Sequence, residues 1–83
     1  PRVSFEAIGK PVPDHKIQLA MAHIQEMMPD ADHELHKWIV GKAVSLIEKD
    51  MLFSLLGEVA ILDEGLDKLD LTGRYRLAAV LLA

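Results

Sequence analysis

Apolar positions recur at helical spacing along most of this chain. Ile17, Met21, Ile24 and Met28 form one stripe, flanked by Ala20 and Met27, with Gln18, Ala22 and Gln25 opposite. That period predicts an amphipathic helix over residues 13–28, with Asp14 as its N-cap. The stretch "MPD" ends it, and Asp30 is placed to cap the next helix. From 31 to 49 the apolar arc widens to Leu35, Ile39, Val40, Ala43, Val44, Leu46 and Ile47, with Trp38 at its edge. A wide arc predicts contact with more than one neighbour. Lys37, Gly41, Lys42, Ser45, Glu48 and Lys49 make the polar strip.

No Pro or Gly separates this helix from "DMLFSLLGEVAILDEG". Phase nevertheless requires a break. At about 100° per residue, Ser54, Gly57 and Glu58 fall opposite the polar strip, so one straight helix would bury opposite faces in its two halves. A break near Asp50, which can also cap, removes the conflict. The third helix is then expected over 51–64, ended by Gly65. It is apolar nearly all round and is expected to be the most buried element. "LDKLDL" reads as a connector of at most one turn, and Thr72 as the cap of a last helix over 72–83.

The first twelve residues are ambiguous. Val3, Phe5 and Ala7 alternate with Arg2, Ser4 and Glu6 as in a strand, yet no second strand is evident. Ser4 could equally cap a single helical turn ended by Gly9. "GKPVPD" reads as an extended linker. The expected architecture is all-α: one domain over residues 1–83, a small four-helix bundle-like fold with an extended N-terminal arm over 1–12.

Composition sharpens this picture. Fifty-one per cent of the 83 residues are apolar before glycine is counted, against about 45–50% with glycine in ordinary globular chains. A short chain has little interior in which to hide such a surplus. One outlet is dense packing. The other is a partner face, and a second copy of the chain, giving a homo-oligomer, is the first partner expected. Trp38, Phe53, Leu56 and Leu81 are the candidate anchors, although Trp38 could equally pack the core. The net charge of −4 argues against general nucleic-acid binding. Cysteine is absent, which excludes disulfides and thiolate chemistry. "PRVSFEAIG" lacks the apolar core of a secretory signal. The apolar run "LAAVLLA" is far shorter than the ~20 residues of a membrane span. A cytoplasmic protein with no membrane span is expected.

Reactive side chains crowd only in "DADHELHKW", residues 30–38. As a calcium loop it fails: Leu35 stands where the turn glycine belongs and Gly41 where the bidentate glutamate belongs. His33 and His36 are spaced i, i+3 and are weak metal candidates. The order His-Glu-Leu-His is not the zinc-protease motif. His36 falls within the apolar arc, which favours a hydrogen-bonded structural histidine. Asp30, Asp32 and Glu34 are explained by the positive end of the helix dipole. Arg74 and Arg76 flank Tyr75 and, with Lys37 and Lys42, could form a nucleic-acid-binding face. The plainer reading pairs the arginines with Asp63, Glu64, Asp67 or Asp70. No nucleophile with a base, phosphate loop or cofactor motif is present. The expected function is a non-enzymatic interaction or regulatory module without a cofactor. Nucleic-acid binding is the alternative, and a metal-dependent activity at His33 and His36 the second.

Overall fold

The computed structural model describes residues 3–57 and 65–83. Among these residues the α-helices are α1 (Asp14–Met27), α2 (His33–Glu48), α3 (Leu52–Leu56) and α4 (Leu71–Leu82). Short 3-10 turns at Phe5–Ala7 and Leu66–Lys68 complete the described elements, among which there is no strand. The helices α1, α2 and α4 pack on one another in every pairing, and α3 packs on α2 and α4. Ile24 of α1, Ile39 and Ile47 of α2, Leu55 of α3, and Leu77 and Leu81 of α4 meet in the core, none more than 1% exposed.

Burial among the described residues is greatest in α2 and α4, a correction to the expectation for the third helix. Seven of the sixteen residues of α2 and six of the twelve of α4 are buried, whereas α3 buries only Leu55. The wide arc of α2 serves three neighbours, α1, α3 and α4. The helix α3 stops at Leu56 because Gly57 turns extended (φ −109°, ψ −177°) while its N–H closes the last turn on the Phe53 carbonyl at 2.8 Å. The remainder of the helix expected over 51–64, residues 58–64, lies outside the described residues.

The break near Asp50 takes a specific form. Asp50 adopts the left-handed conformation with φ 57°. The Met51 N–H then reaches the Leu46 carbonyl (2.8 Å) and the Asp50 N–H the Ile47 carbonyl (3.1 Å). This is the double bond of a Schellman ending, with aspartate where glycine is usual. Asp50 therefore terminates α2 and does not cap α3. The caps elsewhere also shift. Asp32, not Asp30, accepts from the Leu35 N–H (2.8 Å), and Asp70, not Thr72, accepts from the Gly73 N–H (2.7 Å). Pro13 precedes α1 and contributes no side-chain cap, so Asp14 is a first-turn acid.

The N-terminal segment, expected as an extended arm, packs against the ends of helices. Its donors meet carbonyls at the C-terminal ends of helices, where Ile47 O accepts from Gly9 as well as from Asp50. The Ser4 N–H donates to Leu82 O (2.6 Å) and the Gly9 N–H to Ile47 O (2.8 Å). Gly9 turns the chain with φ 84°. The Val12 N–H then bonds the Glu48 carboxylate at 2.8 Å, and Val12 is buried.

Candidate interaction surface

Arg74 lies one turn into α4 and points inward, only 8% exposed. Its Nε donates to Leu69 O (3.1 Å), and one terminal nitrogen donates to Gly57 O (3.2 Å) and Leu55 O (3.4 Å). A planar guanidinium can serve several carbonyls at once, and here it pins the end of α3 to α4. Among the described residues its partners are carbonyls, not the carboxylates of Asp67 and Asp70. Asp63 and Glu64 lie outside the described residues.

Arg76 points from α4 towards α1. Its Nε donates to His23 Nδ1 (2.8 Å) and its NH2 lies 3.2 Å from a Glu26 carboxylate oxygen. Lys37 lies 3.7 Å from its neighbour Glu34 on α2, both side chains exposed. Lys42 is half-buried on the same helix. Of the four residues expected to make a basic face, Arg74 is buried on backbone carbonyls, Arg76 faces α1 and Lys37 sits beside Glu34.

The two histidines have different surroundings. His36 is buried, and its Nε2 lies 2.6 Å from the Met28 carbonyl. A carbonyl only accepts, so Nε2 carries the proton and ties the start of α2 to the end of α1. His33 is exposed and lines a groove between α1 and α2, opposite Ile17 and Met21. Among the described residues no three histidines or acids converge as metal ligands would.

The most exposed of the large apolar side chains among the described residues is on α3. Phe53 is 92% exposed. With Leu52, Leu56, Gly57 and Tyr75 it lines a groove of about 170 Å³ that carries no charged side chain. Burying Leu55 on a one-turn helix sends Phe53 to the other side. Arg74 holds α3 against α4, which brings Tyr75, the next residue and 53% exposed, alongside. Leu71, one turn before Tyr75, is also exposed and extends the same helix face.

Of the four expected anchors, Phe53 and Leu56 therefore share one site. Trp38 is 57% exposed but lies in a separate depression with Leu35, Gly65, Asp67 and Lys68. Its indole covers Gly65 so closely that a Cβ there would collide with the ring. Leu81 is a correction: it is 1% exposed and belongs to the core. Tyr75 was legible only as the centre of an Arg-Tyr-Arg triplet. Its i, i+4 spacing from Leu71 was the available signal for an apolar face.

Among the described residues no helix is long and apolar enough to cross a membrane. No protein-family model matches the chain, and no curated protein or solved structure is significantly similar to it.

Proposed function

We propose that this chain is a non-enzymatic interaction module that binds a protein partner through the α3–α4 face. The observation that carries the reading is Phe53. A phenylalanine 92% exposed beside an uncharged apolar groove is surface that water penalises and a partner would cover. Aromatic side chains on a fixed helix face are the usual energetic anchors of protein interfaces. The buried Arg74 supports this reading over nucleic-acid binding, because the cation best placed in sequence to grip phosphate is engaged with carbonyls.

Affinity capture from an extract of the source organism tests the proposal. The immobilised chain is compared with a Phe53→Asp variant of unchanged circular dichroism. A partner retained by the parent and lost by the variant is expected. Identical retained proteins on both would refute the α3–α4 face as the binding surface.

A further inference from the structure

The groove and the side chain that could fill a matching groove lie on the same face. Phe53 lines the groove together with Leu52, Leu56, Gly57 and Tyr75 and is itself 92% exposed. The groove measures about 170 Å³. A cavity of about 150 Å³ suffices to hold a benzene ring, so it accommodates one phenyl side chain. A knob and a hole of equal size on one face meet the requirement for a two-fold contact, in which the same patch serves both copies.

Charge sets how tightly two copies can pair. Each copy carries a net charge of −4, so two copies repel at long range, and the contact is least opposed on a surface without acidic or basic side chains. The groove is such a surface: Leu52, Phe53, Leu56, Gly57 and Tyr75 line it. The exposed parts of Phe53, Tyr75 and Leu71, with the rims of Leu52 and Leu56, amount to about 400 Å² per copy, taking roughly 200 Å² for each large side chain. That is about half of what a standard stable interface buries per partner and falls in the class of weak, reversible contacts.

Resting on the reading of the α3–α4 face as a binding surface, we infer that its occupant is a second copy of this chain. Phe53 of each copy inserts into the groove bounded by Leu52, Leu56, Gly57 and Tyr75 of the other, in a weak symmetric dimer.

Light scattering on the full chain from about 1 μM to about 1 mM, a span that brackets weak affinities, tests this directly. The mass should rise from 9.2 kDa towards twice that value within the range. It should rise more readily as salt screens the repulsion between like-charged copies. Phe53→Ala and Tyr75→Ala should each weaken the dimer by about tenfold or more, and Trp38→Ala should leave it unchanged. Phe53 lies outside the core, so its replacement leaves the fold intact, which circular dichroism verifies. A mass constant at 9.2 kDa overturns the inference. So does a dimer indifferent to both aromatic substitutions, or one that added salt dissolves. A constant mass together with a captured partner that the Phe53→Asp variant loses would overturn self-pairing and leave the binding face standing. A constant mass with no such partner would overturn both.

Discussion

Arg74→Met is the most informative single change to the fold. Methionine keeps an unbranched apolar stem of similar length and removes every donor. Three carbonyls lose a partner, those of Leu69 (3.1 Å), Gly57 (3.2 Å) and Leu55 (3.4 Å). Each buried carbonyl left unpaired costs about 1–3 kcal/mol. The longest of the three bonds contributes least, and partial access of water reduces the cost at Gly57, which is half-buried. A loss of about 3 kcal/mol follows. The whole chain is expected to be stable by only about 4–12 kcal/mol, so the effect is a large fraction of the total. With a urea slope of about 1–1.5 kcal/mol/M for a chain of this size, the unfolding midpoint falls by about 2–3 M. The single tryptophan, Trp38, reports the transition by fluorescence, and far-ultraviolet circular dichroism should report the same midpoint. Arg74→Lys should recover only part of the loss, because an ammonium does not reproduce the guanidinium fork. A midpoint shift below about 0.5 M, under 1 kcal/mol at this slope, would refute the view that Arg74 clamps α3 to α4.

Two further changes test the backbone reading by thermal melting. Gly41 sits in the middle of α2 where an added Cβ meets nothing within 4 Å, so Gly41→Ala should stabilise by about 0.5–1 kcal/mol and raise Tm by a few degrees. A lower Tm would show that the groove between α1 and α2 has no room there. At Asp50, with φ 57°, glycine should stabilise by about 0.5 kcal/mol and valine should destabilise by about 1–2 kcal/mol. Equal melting of the two variants would contradict the left-handed ending of α2.

Periodicity made much of the helical content legible. The stripe of Ile17, Met21 and Ile24 and the broad arc of α2 follow from spacing alone, because a helix repeats its faces whatever surrounds it. Phase made the interruption at Asp50 legible too, since no straight helix buries opposite faces in its two halves. The wheel also placed His36 among apolar neighbours, although the Met28 carbonyl that meets its ring is a tertiary contact. Caps were harder. Several aspartates stand near each helix start, and the choice of Asp32 and Asp70 over Asp30 and Thr72 depends on where the incoming chain turns.

What spacing did not reveal was direction. The run after Asp50 is apolar on almost every side, so local pattern could not say where its helix ends or which face it buries. Gly57 leaves the helix there, and carbonyls separated by 17 and 19 residues from Arg74 turn that arginine from a surface cation into an internal clamp. Leu81 and Tyr75 make the same point on one helix. Both belong to an apolar pattern, but Leu81 faces the core shared with α1 and α2 while Tyr75 faces outward beside Phe53. The sequence by itself determined the helical class, the faces of α1 and α2 and the need for a break at Asp50, because these follow from local geometry and from the apolar surplus. Only the tertiary structure decided which apolar residues remain in water, because burial depends on which helix faces meet, and that is settled by contacts between residues far apart in the chain.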